Sequence, residues 1–240
     1  NAALYYASRL FQLPLAIFGV SLAQAALPTL SDLNAREDKE AFCQSLRFAF
    51  KNTIFTSAPA MVGLAVLAEP IVTILFKRNA FDAYSVQVTS SALLFYAFGL
   101  VSCSVIKVFV NAFYALHDTK TPVKTATICL LANLLLNFVF MWKLKIGGLA
   151  LATSIAATIN VVLLGWVLHK RVGIFNAKGI WISVFKSMFA AVIMALFAIF
   201  VCKPWIIICL NTSFGQSVWS LSVSIIASAI IYYLAALCLR

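Results

Sequence analysis

No acidic residue falls inside any long apolar run of this 240-residue chain. Its seven Asp and Glu lie between those runs, against eighteen Lys and Arg in all. Charged residues make up only 10% of the chain and apolar residues 63%, with a mean hydropathy of +1.01. A soluble domain carries about 25% charged and about 45–50% apolar residues, so a water-soluble globule is excluded and a polytopic membrane protein is expected. Other absences narrow the function. There is no GxGxxG and no Walker pattern, so ATP hydrolysis by this chain is not expected. The spans hold no paired carboxylates for acid–base chemistry, and nothing near His117 or His169 completes a triad. The six cysteines show no paired spacing with histidine, so neither a metal centre nor a disulfide framework is expected. The runs also lack strand alternation. In lipid every backbone polar group must be satisfied internally, which leaves helices.

Seven apolar runs approach the length of about 20 residues that a helix needs to cross the hydrocarbon. They cover about 3–27, 46–68, 88–112, 123–142, 148–168, 181–202 and 217–239. The expected fold is an all-α membrane protein with about seven transmembrane helices. The chain begins at Asn1, directly in an apolar run, and the expectation is a fragment of a longer protein. Loops on one side hold eleven Lys and Arg, among them Arg47, Lys51, Lys120, Lys124, Lys170, Arg171, Lys178, Lys186 and Arg240. The other side holds five: Lys77, Arg78, Lys143, Lys145 and Lys203. The richer side is expected to be cytoplasmic, which places the C-terminus inside.

The connecting segments carry local signals. Asn34-Ala35-Arg36-Glu37 has the spacing of a capping box, with Asn34 as the cap. A short surface helix should follow, its apolar face of Phe42, Leu46, Ala49 and Phe50 resting on the membrane. Segment 69–82 is too short to cross and reads as an interfacial or re-entrant turn. Segment 203–216 reads as an outer loop with Trp205 at headgroup depth. Pro14 removes a donor inside the first span and should kink it.

Apart from the basic residues already counted with the loops and adjoining span ends, two cations stand within the spans, Arg9 and Lys107. A charge at the bilayer centre costs about 2.5–3.5 kcal/mol even on the lenient insertion scale. Such a residue faces a wet cavity or a partner, or snorkels to the interface. Without internal acids, the expected partner is an anion from outside the chain. Arginine offers a planar fork suited to phosphate and lysine a point charge, so together they suit a diphosphate. In the fourth span Asn133 and Asn137 share a face at i,i+4, and Thr153 and Ser154 open the fifth. Their oxygens suit either a hard monovalent cation or hydrogen bonds between helices. Gly147-Gly148 and the nearby alanines suggest close helix packing.

Four stretches carry a family resemblance. They are Leu4-Tyr5-Tyr6-Ala7-Ser8-Arg9-Leu10 continuing through Pro14 to Leu27-Pro28-Thr29-Leu30-Ser31, then Leu75-Phe76-Lys77-Arg78-Asn79-Ala80-Phe81, then Ala112-Phe113-Tyr114-Ala115-Leu116-His117-Asp118-Thr119-Lys120-Thr121-Pro122, and Gly148-Leu149-Ala150-Leu151-Ala152-Thr153-Ser154. In this order they resemble the MurJ/MviN lipid II flippases of the multidrug/oligosaccharidyl-lipid/polysaccharide exporter superfamily. Residues 170–240 match only in being two further apolar helices. The resemblance implies helices eight to fourteen of a fourteen-helix, two-lobe transporter. Residues 1–170 would form the C-terminal lobe, without the first lobe and helix seven, and residues 171–240 a helix pair with a groove for a lipid tail. It implies export of lipid II, the undecaprenyl-diphosphate-linked peptidoglycan precursor, across the bacterial inner membrane by alternating access, for peptidoglycan synthesis and cell shape. The chain would be a transporter and not an enzyme, without a cofactor, and its partners would be lipid II, membrane lipids and the missing lobe. Arg9 falls on the family's cavity arginine and Lys107 on a cavity lysine of some members. Asn133, Asn137, Leu149 and Thr153 fall near positions proposed for sodium, so sodium coupling or membrane-potential drive is implied. Two departures bear on this: Ser8 stands where the family has Asp, and Asn137 where an acid can occur. The alternatives are another exporter of the superfamily, a seven-helix receptor, or a membrane enzyme acting on prenyl phosphates.

Overall fold

The computed structural model describes residues 2–77, 81–174, 179–210 and 214–238, with backbone alone at 143–145, 180, 181, 210 and 214. Arg78, Asn79, Ala80, Lys178 and Arg240 lie outside the described residues, as do the side chains of Lys143 and Lys145. Five helical stretches are long and apolar enough to cross a membrane: Ala2–Ala35, Lys120–Trp142, Ile146–Val172, Ile182–Cys209 and Gly215–Cys238. Two bent pairs bring the number to seven if each is one span. They are α3 (Lys39–Val66) with α4 (Ala68–Phe76), bent by 68°, and α5 (Ala83–Phe98) with α6 (Leu100–Ala115), bent by 42°. The seven-span, all-helical expectation holds.

The first span is α1 (Ala2–Pro14), a π turn at Leu15–Val20 and α2 (Ser21–Ala35). Pro14 withdraws one donor, and the ladder widens in the following turn: Ser21 N donates five residues back, to Ala16 O. The Asn34 cap is a correction. Asn34 lies inside α2, and the cap of α3 is Asp38, whose carboxylate accepts from Ala41 N at 2.9 Å. The turn comes later than the sequence pattern suggests because Glu37 takes the left-handed conformation, φ 57°. The surface helix is a second correction. Phe42, Leu46, Ala49 and Phe50 are buried with Phe109, Phe113, Leu164 and Leu168, so this turn of α3 is the start of the span itself. Periodicity identifies an apolar face but not what covers it.

α7 (Lys120–Val172) is helical over 53 residues, yet it is not one rod. A β-carbon placed on Gly148 would lie 2.5 Å from Phe140 O. In a straight helix those residues are about 12 Å apart along the axis. The chain therefore reverses between them, giving two arms, Lys120–Trp142 and Ile146–Val172. Glycine at 148 permits the backbones to touch. Ala150, Ala152 and Ala156 are buried beyond it, as the small-residue pattern suggests.

α8 (Gly179–Phe197), a second π turn (Ala198–Cys202) and α9 (Lys203–Leu210) run on as one helix, so the expected loop at 203–210 is helical. It pairs with α10 (Phe214–Cys238) through the buried Ser217, Ser220, Ser224 and Ser228. Tyr232 OH donates to Phe55 O at 2.7 Å and fixes α10 to α3.

One end of the bundle is cross-tied. Arg47 Nε donates to Ile174 O at 2.8 Å, just past Gly173, which ends α7 in the left-handed region. Asp118 caps α7, accepting from Thr121 Oγ1 at 2.6 Å and from the N–H groups of Lys120 and Thr121 at 3.0 Å. Its third partner is Arg171, at 2.7 Å. The Thr121 hydroxyl first, then the backbone donors and Arg171, hold the Asp118 carboxyl below its usual range. The Asp-Thr-Lys-Thr-Pro junction is thus a cap. Asp118→Ala is expected to destabilise the protein by about 1–2 kcal/mol, read as a lower Tm in detergent. Because the folded pKa is depressed, the advantage over Asp118→Asn is full at neutral pH. It fades as pH falls through about 4 and below.

Candidate functional site

Arg9 sits in α1 on the face opposite Ala7, which packs with Ala92 and Leu93 of α5 and Ala150 of α7. Its side chain is exposed, and its guanidinium lies 5.1 Å from the centre of the Tyr5 ring one turn back. Ser8 does not reach towards it; its hydroxyl donates to Tyr5 O at 2.9 Å. Lys107 is exposed in α6, among the buried Ser104, Val105, Val108 and Phe109. Among the described residues no acid pairs with either cation: the three ion pairs are Asp32–Arg36, Asp118–Arg171 and Glu69–Lys203.

The two cations stand at different depths. A β-carbon on Gly19 would lie 2.8 Å from Ser104 Oγ, and Asn111 Nδ2 donates to Ala23 O at 2.7 Å. Both contacts advance in the same direction, so the first span and α6 run parallel. Arg9 lies ten residues before the first contact and Lys107 three after it, which separates them by roughly 15–20 Å along the axis.

The π turn adds residues that the sequence pattern hides. In a regular helix Ser21 would stand roughly 120° around from Arg9. One extra residue in the wide turn brings it to roughly 20°. Gln12, Ser21 and Gln24 are all exposed on the Arg9 side. Arg9, Gln12, Ser21 and Gln24 thus share one side of the first span, with the exposed Leu13 among them. The misaligned spacing of these residues was the available signal, and only knowledge of the π turn reads it.

The four residues considered for a cation fall on the two arms of the α7 hairpin. Asn137 Nδ2 donates to Asn133 Oδ1 at 2.8 Å, and Thr153 Oγ1 to Leu149 O at 3.0 Å. The Phe140–Gly148 contact puts both pairs at similar depth, just beyond the reversal. Asn137 Oδ1 is buried without a hydrogen-bond partner. Ser154 is engaged elsewhere, donating to Phe95 O at 2.7 Å across to α5.

Comparison with known proteins adds to this geometry. A family model described as "Lipid II flippase MurJ" matches residues 1–215. The probable lipid II flippase MurJ of Vibrio cholerae serotype O1 is 37% identical over 191 residues, 79% of this chain and 36% of that protein. The lipid II flippase MurJ of Burkholderia cenocepacia is 34% identical over 189 residues, with the same coverages of 79% and 36%. The probable lipid II flippase MurJ of Rhizobium meliloti is 32% identical over 239 residues, 98% of this chain and 44% of that protein. A solved structure, a lipid II flippase MurJ in an inward closed conformation, superposes with a TM-score of 0.73 at 30% identity. The superposition covers 97% of this chain and 47% of that one. The chain thus spans between about a third and a half of the length of the relatives it matches.

Proposed function

This chain belongs to the lipid II flippase MurJ family, and from that premise we propose that it forms one wall of a pathway carrying lipid II from the cytoplasmic to the outer leaflet. The observation that carries the reading is the polar face of the first span. It presents Arg9, Gln12, Ser21 and Gln24 on one side, and among the described residues no acid pairs with the arginine. A charge so placed needs an anion, and the undecaprenyl diphosphate supplies one. Arg9 and Lys107 would meet that anion in turn as it changes depth, under alternating access. The role is transport and not catalysis.

The membrane is the bacterial cytoplasmic membrane, with the C-terminus inside on the loop-charge rule. Residues 1–170 form the second lobe and the helices after it a separate pair with a lipid-tail groove. A first lobe supplies the opposite wall. Sodium coupling would draw on Asn137 Oδ1. Asn133, Leu149 and Thr153 would add further neutral oxygens. No carboxylate stands among the four, so drive by membrane potential is the reading we favour.

The test is complementation. In a strain depleted of its own lipid II flippase, the full-length protein is expected to restore growth and cell shape. Lys107→Ala is expected to slow lipid II export by up to about fivefold, the effect of one solvated charge pair. No rescue by the wild type would overturn the reading. No change with Lys107→Ala would return Lys107 to a snorkelled surface lysine.

A further inference from the structure

We propose that a cavity between α4, α5 and α9 holds the headgroup of a phosphatidylethanolamine from the adjacent leaflet. The cavity measures about 530 Å³. Three charged side chains line it: Glu69 of α4, Lys77 just beyond that helix, and Lys203 at the start of α9. Among the described residues lining it, Glu69 is the one acid and none is aromatic. The frame does not depend on those charges. Ala68 and Val72 of α4 pack with Val86 of α5 in one buried cluster, and Ile74 packs with Ile206 of α9 in another. α4 is thus clamped between its two neighbours. Along α5 the wall changes character. Gln87 lines the cavity about one turn into the helix, then Ser90, and Leu94 about 10 Å beyond Gln87. A polar mouth over an apolar floor suits an amphiphile.

The chemistry selects the ligand. Glu69 and Lys203 face each other at 3.6 Å, beyond the about 2.7–2.9 Å of a charge-assisted hydrogen bond. Glu69 is exposed and Lys203 partly so, and an ion pair of that kind contributes little. A ligand with complementary charges can part it at small cost. Among the described residues Lys77 has no acidic partner. The cavity therefore offers a carboxylate for a cation beside an ammonium for a phosphate, with a second ammonium on the same wall. Phosphoethanolamine carries both charges on one short chain. Its primary ammonium donates to Glu69 while its phosphodiester accepts from Lys203. A phosphatidylglycerol headgroup brings no cation, and Glu69 would be left facing its phosphate. A choline headgroup has no N–H to donate. Such cations are held by aromatic faces, and none of the described lining residues supplies one. The loop-charge rule makes the leaflet the outer one, but the site itself rests neither on that rule nor on the transport reading.

The experiment uses the full-length protein in phosphatidylcholine nanodiscs, doped with phosphatidylethanolamine that carries a photoreactive group on its upper acyl chain. Matched photoreactive phosphatidylcholine, phosphatidylglycerol and N-methylated phosphatidylethanolamines are compared, and peptide mass spectrometry locates the adducts and their yield. On the α4 and α5 segments of the wild type, the ethanolamine lipid should give up to about fivefold more adduct than the choline lipid. The yield should fall stepwise as methyl groups replace its N–H donors. Glu69→Gln should bring the ethanolamine lipid down to the level of the choline lipid, while Glu69→Asp should keep most of the preference. A control with Lys120→Gln and Lys124→Gln, at the opposite end of the bundle, should keep all of it. Equal yields from the two lipids in the wild type would overturn the proposal, and so would a preference that survives Glu69→Gln. A higher yield from phosphatidylglycerol would overturn it as well, because the cavity would then be a simple anion site. An equal loss in the control would do the same. Loss of the adduct on addition of unlabelled undecaprenyl diphosphate would also overturn it, since the occupant would be the transported lipid.

Discussion

Arg9→Ala will abolish complementation of flippase depletion while the protein stays in the membrane at normal levels. The expected loss follows from what the side chain does and does not touch. Its one described contact is with the Tyr5 ring, worth about 0.5–1 kcal/mol at an exposed site. Removing it should leave Tm within a degree or two. A hydrogen bond to a charged group is worth about 1.5–3 kcal/mol, so loss of one substrate contact lowers affinity by roughly 10- to 150-fold. Arg9→Lys keeps the charge but loses the planar fork and should restore only part of the activity. Normal growth with Arg9→Ala would show that the arginine is a lipid-facing residue. A large drop in membrane level would show that it is structural.

Gly148→Ala is expected to be the most damaging small substitution in the α7 hairpin. The new methyl would sit 2.5 Å from Phe140 O and 2.8 Å from Phe140 C. Both are backbone atoms, and neither can swing aside. The hairpin must open, at a cost on the order of 3 kcal/mol or more. Gly147→Ala meets the Phe95 ring at 2.8 Å, which is a side chain and can rotate, so a smaller loss is expected. Gly215→Ala meets nothing within 4 Å and should be neutral. Thermal unfolding in detergent, with limited proteolysis between the two arms, ranks the three. A ranking in which Gly147→Ala exceeds Gly148→Ala would contradict the reversal described for residues 140–148.

Much of this was legible in the sequence because the bilayer imposes simple rules. Length and hydropathy are enough to place seven spans, and an unpaired cation in one of them stands out without any structure. The glycine pair at 147–148 was legible as a close contact, though not as a contact between backbones. Other features depend on geometry that no local pattern encodes. The capping-box spacing at Asn34–Glu37 arises inside a helix that simply continues to Ala35. The apolar face of Phe42, Leu46 and Phe50 looks the same whether lipid or α6 covers it. Arg9 and Lys107 look like a pair in the sequence, and only the parallel packing of the first span on α6 sets them at different depths. The π turn rotates Ser21 into line with Arg9, which a regular 3.6-residue period cannot show.

The central claim is that the Arg9 face grips the diphosphate of a lipid on its way across the membrane. Its most direct measurement is lipid II translocation in cells depleted of other flippases, read by an enzyme that cleaves lipid II only at the outer leaflet. With the full-length wild type, cleavage product should accumulate. With Arg9→Ala it should fall to the level of the depleted strain while the inner-leaflet pool of lipid II rises. Undiminished cleavage with Arg9→Ala, at equal protein level, would contradict the account.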